Sequence, residues 1–293
     1  MTKMHYIVAM KNIDLHCHSC FSDGCDTPAQ LVKSAAALEL SALALTDHDT
    51  TAGLEEFRRA GALFPAVETV PGVEISTSYG QKELHITGLF IDPANPFLNE
   101  FLGNLRRERL ERARAMSARL ASIGYPVNMP ELQGGGARPI GRPHFARLLA
   151  ENYRFASIAE VFDRLLKRGC PGYVPRKLPP PEAAIEAIHR AGGCAVWAHP
   201  ISGPRCDHSW INRMCAKLRG MGLDGVEAWY STFSPLQTDM IREVAGRQRL
   251  LCSGGSDYHG ENQPEVMLGR GRGGLAVPGE ILALLRQRSL ELR

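Results

Sequence analysis

Histidine and carboxylate side chains follow short apolar runs of the sequence, and both groups bind divalent cations. In the first run, His16 and His18 are two residues apart. Alternate residues of a β-strand share one face, so both imidazoles can reach the same ion. Asp23 follows in a Ser-Asp-Gly sequence, which by itself indicates only a turn. Two histidines with this spacing are a weak indication of a metal site when taken alone.

The next three runs contain further ionisable side chains. Asp47, His48 and Asp49 stand together directly after an apolar run. Burying them without partners would be costly, and a solvated turn is the alternative. Glu74 lies among apolar residues and needs a partner there, for which a metal ion is one candidate. His85 lies within the fourth run, where a lone histidine more often belongs to the core.

Two later runs end in the same residue types. His199 precedes a proline that ends its run, and Asp257 and His259 are again two residues apart. Six of the seven runs therefore supply candidate ligands, within the run or just after it, and the strand ends of a (β/α) barrel form its active site. The nine candidate ligands are His16, His18, Asp23, His48, Glu74, His85, His199, Asp257 and His259. Imidazole and carboxylate ligands without thiolate suit Mn, Zn or Fe, so the pattern predicts a cluster of two or three divalent ions.

The apolar runs themselves have the length and composition of buried strands. They are Ile13–Cys17, Ala42–Thr46, Glu68–Ile75, Leu84–Ile91, Cys194–Ala198, Gly225–Tyr230 and Leu250–Ser253. Helical patterns separate most of them, including Ala29–Leu40 after a Thr-Pro start and Pro181–Ala191. Alternating strands and helices predict an α/β fold with a parallel sheet or barrel.

One long helical stretch interrupts this alternation. We predict a first barrel part at residues 1–98, a helical insertion subdomain at residues 99–174, and a second barrel part at residues 175–293. Residues 99–175 contain 13 Lys/Arg and 7 Asp/Glu, in a chain whose net charge is only +3. This local excess indicates either an anion site or solvated helix faces. The small net charge does not indicate a broad nucleic-acid groove.

The composition is that of an ordinary globular enzyme, with 44% hydrophobic and 22% charged residues. No apolar run reaches the roughly 20 residues that a bilayer span needs. Residues 1–11 lack the features of a signal peptide, so the sequence predicts a cytoplasmic protein. The eight cysteines show no zinc-ribbon spacing and are predicted to be free thiols. We expect no membrane contact and no obligate protein partner.

Several motifs occur in a fixed order along the chain. They are Asp-Leu-His-Cys-His-Ser from Asp14, Ser-Asp-Gly at Asp23, Leu-Thr-Asp-His-Asp-Thr from Leu45, Gly-Val-Glu-Ile at Glu74, His-Ile-Thr-Gly-Leu-Phe-Ile-Asp from His85, Ala-His-Pro at His199 and Gly-Ser-Asp-Tyr-His-Gly from Gly255. This order resembles the PHP family of phosphoesterases over residues 12–260. The resemblance implies a distorted, TIM-like (β/α)7 barrel with a helical subdomain. The motifs Gly-Arg-Pro-His and Tyr-Val-Pro-Arg further resemble the nucleoside 3′,5′-bisphosphate phosphatases of that family, some of which also act as 5′-to-3′ exonucleases on short RNA.

The resemblance also implies how the ligands divide among the ions. The implied ligands of the first ion are His16, His18, Glu74 and Asp257, those of the second are Glu74, His85 and His199, and those of the third are Asp23, His48 and His259. Asp23 stands where many members have histidine, so we expect the third ion to bind most weakly. Mn²⁺ is the expected metal, with Zn²⁺, Fe²⁺ and Mg²⁺ as alternatives.

The function expected on this basis is removal of the 3′-phosphate of a nucleoside 3′,5′-bisphosphate, leaving a nucleoside 5′-monophosphate. Divalent ions lower the pKa of a bridging water and neutralise the phosphoryl oxygens, so we expect attack by a metal-bridged hydroxide. The predicted catalytic residues are Asp47, His48 and His199. Asp47 or a metal-bound water would protonate the leaving group.

Four basic residues are predicted to hold the second phosphate of the substrate: Arg142, His144, Arg176 and Lys177. Arginine binds phosphate through paired hydrogen bonds, although ordinary surface charge is the alternative reading of these positions. The competing functions are a 5′–3′ exonuclease on short RNA, a histidinol-phosphate phosphatase and a non-catalytic PHP module that binds only metal or a protein. The last of these typically lacks ligands, and none is missing here.

Overall fold

Strands and helices alternate along the chain in the computed structural model, which describes residues 12–133, 140–201 and 206–293. The strands are β1 (Ile13–Cys17), β2 (Ala42–Leu45), β3 (Glu68–Tyr79), β4 (Lys82–Leu89), β5 (Cys194–Trp197), β6 (Gly225–Tyr230) and β7 (Leu251–Gly255). The helices are α1 (Pro28–Ala37), α2 (Leu54–Leu63), α3 (Pro96–Ser122), α4 (Met129–Gln133), α5 (Arg142–Asn152), α6 (Ile158–Val161), α7 (Pro181–Arg190), α8 (His208–Gly220), α9 (Pro235–Gln248) and α10 (Glu280–Glu291). Every predicted strand is present. The segment that carried the localisation prediction, residues 1–11, lies outside the described residues.

The seven strands form one sheet in sequence order, which curves into a nearly closed barrel. Strands β1, β2 and β3 pair in parallel, as do β5, β6 and β7, but β4 is antiparallel to both neighbours. The β3–β4 hairpin turns at Gly80, whose φ of +62° favours glycine, so no helix separates these strands. The predicted distorted (β/α)7 barrel is therefore confirmed, and the reversed strand is its distortion. Because of this reversal, His85 on β4 pairs with Ser76 near the C-terminal end of β3.

The first and last strands meet where the sheet closes. The Asp257 amide donates to the His16 carbonyl at 2.8 Å, and the His18 amide donates to the Tyr258 carbonyl at 2.9 Å. A Cβ atom on Gly255 would lie 2.4 Å from the His16 Cβ, so only glycine allows the two strands to approach so closely. This closure brings the Asp257 and His259 segment against the His16 and His18 segment.

Local sequence explains how the elements begin and pack. Helix α1 starts with the predicted Thr27 cap and Pro28, and Gln30 completes a capping box. All four residues of β2 are buried because the sheet is covered on both faces. Arg288 of α10 donates to Asp224, directly before β6, at 2.7 Å. Helix α10 therefore lies at the N-terminal end of the strands, opposite the candidate site.

The segment between β4 and α7 has a hydrophobic cluster of its own, which joins the second half of α3 to α4, α5 and α6. The first half of α3 instead packs into the main core through Leu98, Leu102 and Leu105. The predicted boundary at residue 99 thus falls inside one continuous helix, and the three-part division remains a prediction. Across the described ranges, none of the helices is both long enough and apolar enough to span a bilayer.

Candidate metal centre

The nine predicted ligands gather at the C-terminal end of the parallel strands, around the buried carboxylate of Glu74. The Nδ1 atom of His85 and the Nε2 atom of His199 lie 2.9 and 3.0 Å from Glu74 Oε1. The Nδ1 atom of His48 lies 2.9 Å from Glu74 Oε2. Ligands about 2.0–2.2 Å from one ion lie about 3–3.5 Å from each other, so this is the spacing of groups that share cations.

The closure of β1 against β7 forms a second part of the cluster. His18 Nε2 lies 3.3 Å from Glu74 Oε2 and 3.1 Å from Asp257 Oδ1. His16 Nε2 lies 3.5 Å from Glu74 Oε1 and 3.4 Å from Asp257 Oδ1. These four side chains are the ones that the PHP resemblance implies for the first ion. Glu74 lies between them and the histidines described above, so its carboxylate would be available to more than one ion.

Asp23 forms a third group on the loop after β1. Its Oδ1 lies 3.4 Å from His259 Nε2, and its Oδ2 lies 3.8 Å from His48 Nε2. His18 also reaches this group, with its Nδ1 3.7 Å from Asp23 Oδ1. The loop folds back so tightly that a Cβ on Gly24 would lie 2.3 Å from the His18 carbonyl oxygen. This turn directs Asp23 toward the barrel mouth.

Unsatisfied buried atoms test whether cations fit this cluster. Four of its polar atoms have no hydrogen-bond partner, namely His16 Nε2, His18 Nε2, His48 Nδ1 and Asp23 Oδ1. A buried polar group without a partner costs about 1–3 kcal/mol. Divalent ions among these lone pairs would satisfy all four, and imidazole with carboxylate is a donor set that such ions accept. The residues therefore fit a group of divalent cations.

The charges of the cluster are strongly coupled. Burial alone raises the pKa of Glu74, but the imidazoles of His48 and His85 outweigh burial and hold that pKa well below its usual range. Burial lowers the pKa of His85, yet Glu74 raises it to about 10. Burial and the nearby charge of His259 lower the pKa of His18 to about 4. The carboxylates therefore remain anionic and attract positive charge to the barrel mouth.

Three residues in or beside the cluster have a left-handed backbone. The φ angles are +52° at Asp49, +32° at His199 and +55° at Asp257. Such angles cost about 1–3 kcal/mol for residues other than glycine, and they concentrate at functional sites. Two of the three residues, His199 and Asp257, are predicted ligands, so the fold holds a strained backbone conformation at two of its candidate ligand positions.

Glu227 on β6 is a positioning residue that the sequence analysis missed. Its Oε1 lies 3.1 Å from His16 Nδ1, and its Oε2 accepts a 2.6 Å hydrogen bond from the His199 amide. A carboxylate on Nδ1 fixes the tautomer in which Nε2 is free to bind a metal ion. Glu227 occurs in Gly-Val-Glu, the same tripeptide that precedes Ile75 at Glu74, and this repetition was the signal in the sequence.

Asp47, a predicted catalytic acid, holds the loop after β1. Its Oδ1 accepts hydrogen bonds from the Ser19 amide at 2.8 Å and the Ser22 hydroxyl at 2.5 Å, and its Oδ2 accepts one from the Ser19 hydroxyl at 2.6 Å. Burial raises the pKa of Asp47, and these donors oppose the rise. Both oxygens are engaged in the loop that carries Asp23, so the geometry favours a positioning role over proton transfer.

Asp49 joins the barrel to the insertion and is fully buried. It accepts a 2.5 Å hydrogen bond from Arg109 of α3 and a 2.9 Å hydrogen bond from Arg176 of the return segment. Burial raises the pKa of Asp49, but Arg109 and Arg176 outweigh burial and lower it. Arg176 also contacts Glu83 at 3.2 Å. Its guanidinium therefore orders the wall of the site, and these contacts add no support to the prediction that it binds phosphate.

A cleft of about 460 Å³ opens beside the metal centre. His85 and His199 line it on the side of the metal centre, and Arg142, at the start of α5, lines it from the insertion. Arg142 thus lines the same cleft as two of the candidate ligands, and its role in holding a second phosphate stays a prediction.

The other two predicted phosphate ligands are placed differently. His144 Nδ1 accepts from the Gly141 amide at 3.0 Å, so its Nε2 is protonated and donates to the Ser22 carbonyl at 3.0 Å. His144 therefore fastens α5 to the loop that carries Asp23. Lys177 is exposed and lies outside the lining of the cleft.

The PHP domain family matches residues 14–167, which is more than half of the chain. The chain belongs to the PHP family. The 5′-3′ exoribonuclease Rnm of Escherichia coli is 39% identical over 88% of both chains. The 3′,5′-nucleoside bisphosphate phosphatase of Chromobacterium violaceum is 39% identical over 85% of this chain and 88% of its own.

Solved structures support the PHP assignment. A protein of Bifidobacterium adolescentis assigned as a metal-dependent phosphoesterase has a TM-score of 0.84 and 30% identity, covering 95% of this chain and 96% of its own. A Chromobacterium violaceum protein described as an amidohydrolase has a TM-score of 0.82 and 36% identity, covering 94% of this chain and 96% of its own. This PHP protein is therefore a metal-dependent phosphoesterase, an enzyme that hydrolyses phosphoric esters.

Proposed function

We propose that this enzyme removes the 3′-phosphate of nucleoside 3′,5′-bisphosphates, giving a nucleoside 5′-monophosphate and phosphate. The position of Arg142 in the cleft, beside His85 and His199, carries the proposal. One phosphate of the substrate would lie at the metal centre while Arg142 holds the other. A simple monoester would lack the second contact, so this arrangement selects a bisphosphate.

Electrostatics near Arg142 support an anion site. Burial, followed by repulsion from Arg142 and Arg176, lowers the pKa of Arg112 to about 10. Arg112 therefore lies close enough to Arg142 for the two positive charges to repel each other, and a phosphate bound at Arg142 would relieve this repulsion. Arg112 is held in this place because its Nε donates to the Val174 carbonyl at 2.8 Å.

The residues of the metal centre are proposed to bind two or three divalent ions, with Mn²⁺ as the expected metal. We assign His16, His18, Glu74 and Asp257 to the first, Glu74, His85 and His199 to the second, and Asp23, His48 and His259 to the third. When bound, such ions neutralise phosphoryl oxygens and lower the pKa of water. The chain itself supplies the orientation, since Glu227 fixes the ring of His16 and Arg142 fixes the far phosphate.

The Arg142→Ala variant tests this function. We expect its KM for a nucleoside 3′,5′-bisphosphate to rise at least about tenfold, because a charge-assisted contact contributes roughly 1.5–3 kcal/mol. Its kinetics with a nucleoside 3′-monophosphate should change little. Phosphate release measured with both substrates checks the prediction, and Arg147→Ala, an exposed change on the same helix, is the control. Equal losses with both substrates would rule out the assigned role.

A 5′–3′ exonuclease acting on short RNA through the same centre is the second candidate. It is favoured by the 39% identity to the Escherichia coli exoribonuclease over 88% of both chains. A product assay separates the two activities, because the phosphatase releases free phosphate whereas the exonuclease gives mononucleotides from RNA. Histidinol-phosphate hydrolysis would not need Arg142. A non-catalytic module would not need the complete set of nine ligands.

A further inference from the structure

The cleft beside the metal centre continues into a second hollow of about 340 Å³. Lys82 of the β3–β4 hairpin and Trp210 of α8 line both spaces. Tyr79 at the end of β3 lines the second hollow, together with Arg213 and Lys217 of α8. We call this surface of five residues the hairpin–α8 groove. It extends the path that starts at His85 and His199.

The two lysines of the groove rest on neutral aromatic partners. The Nζ atom of Lys82 lies 3.6 Å from the ring centroid of Trp210. The Nζ atom of Lys217 donates to the Tyr79 hydroxyl at 2.8 Å and lies 5.1 Å from the centroid of that ring. A cation over a ring is held in position while its charge is kept. Both ammonium groups are thus placed in advance for an anionic ligand.

Two exposed arginines elsewhere on the barrel are paired with carboxylates instead. Arg59 of α2 pairs with Glu55 at 2.8 Å, and Arg247 of α9 pairs with Glu243 at 2.5 Å. In such pairs the two charges largely cancel, and the contact contributes little beyond the surface itself. The groove therefore differs from such helix faces, because the aromatic rings that hold its two lysines carry no negative charge.

Helix α8 and the β3–β4 hairpin set the positions of the groove residues relative to one another. Arg213 and Lys217 are four residues apart on α8, so their side chains lie on the same face of the helix. The β3–β4 hairpin places Tyr79 and Lys82 directly opposite each other in its register. Positive charges and aromatic rings therefore line one groove, which shares Lys82 and Trp210 with the cleft at the metal centre.

A groove that combines cations with aromatic rings suits a single-stranded oligonucleotide, since phosphates bind the cations and bases stack on π surfaces. We propose that the hairpin–α8 groove binds the nucleotides of a short single-stranded oligonucleotide beyond the one at the metal centre. This inference rests on the proposed function, because the phosphoester next to those nucleotides must reach the same centre. A bisphosphate is too short to use the groove, so the groove extends the substrate range to oligonucleotides.

The double variant Arg213→Gln/Lys217→Gln tests the groove, because both residues lie outside the cleft at the metal centre. We measure kcat/KM of the metal-loaded enzyme for a 5′-phosphorylated pentaribonucleotide and for a nucleoside 3′,5′-bisphosphate. The pentanucleotide value should fall roughly tenfold, and its slope against log salt should become shallower by about 1.4, since each lost single-strand phosphate contact accounts for about 0.7. The bisphosphate value should stay within twofold.

Lys33→Gln/Arg59→Gln is the matched control, because it removes two exposed charges from α1 and α2. It should leave both substrates unaffected. The groove proposal is overturned if the groove variant degrades the pentanucleotide as well as the control does. It is also overturned if the wild-type enzyme hydrolyses the bisphosphate but not RNA. In both cases the proposed function stands. If wild type hydrolyses neither substrate, the proposed function fails as well. A Tyr79→Leu variant gives a second measurement, with the same selective loss expected.

Discussion

Glu74 connects the parts of the metal centre. Its two oxygens lie within 2.9–3.5 Å of five imidazole rings, which belong to His16, His18, His48, His85 and His199. A buried carboxylate with so many imidazole neighbours is stable only with positive charge close by. At the scale of residues, the site depends on this carboxylate and on the groups that orient the rings around it.

Glu227→Ala tests the orienting role of the carboxylate behind His16. Loss of such a group lowers metal affinity about 10- to 100-fold, because the ring turns and its tautomer is no longer fixed. Calorimetric titration with Mn²⁺ should show this loss for the ion at His16, and activity should largely return at saturating metal. Glu265→Ala is a control at an exposed carboxylate. Unchanged affinity in Glu227→Ala would contradict the role.

The candidate ligands that the structure gathers around Glu74 could be recognised in the sequence, whereas the groups that orient them could not. His16 with His18 and Asp257 with His259 share strand or loop spacing that brings two side chains to one ion. The ion pair of Asp49 with Arg109 joins residues 60 positions apart, and no local pattern marks it. Glu227 was recognisable only because its tripeptide repeats the one at Glu74.

At the scale of elements, the direction of β4 was the feature that the strand pattern left undetermined. An apolar run gives no direction, and the short connection through Gly80 was the local sign of a hairpin. Helix α3 begins at Pro96, close to the predicted start of the insertion at residue 99, but its division between two hydrophobic clusters depends on partners far away in sequence. Its buried Arg109 links the insertion to the barrel.

Arg109→Met tests this link between α3 and the barrel. Arg109 is 7% exposed and Asp49 is fully buried, so the substitution removes the closest charge partner of a buried carboxylate. Breaking a buried ion pair costs about 3–5 kcal/mol. We expect the free energy of unfolding, measured with urea, to fall by an amount in this range, moderated by the remaining contact from Arg176. Arg114→Met, an exposed change on the same helix, should have little effect. A similar result for both variants would refute the structural role of the pair.

At the scale of the whole molecule, contacts that stabilise the barrel and the residues of the candidate metal centre lie at opposite ends of the strands. Helix α10 and its partner Asp224 lie at the N-terminal end of the strands, while the nine candidate ligands lie at the other end. The insertion adds Arg142 to the cleft without contributing any of those ligands. Substrate selection can therefore change through the insertion and the hairpin–α8 groove while the metal centre stays the same.

The central claim is that these nine side chains bind divalent ions and that hydrolysis requires those ions. Removing the metal and then restoring it tests this claim most directly. Purified wild-type enzyme is treated with chelator until mass spectrometry detects no metal, and phosphate release from a nucleoside 3′,5′-bisphosphate is then measured with and without added Mn²⁺. We predict no release from the stripped protein, and recovery as two or three ions bind per chain. Undiminished hydrolysis by the stripped enzyme would contradict the account.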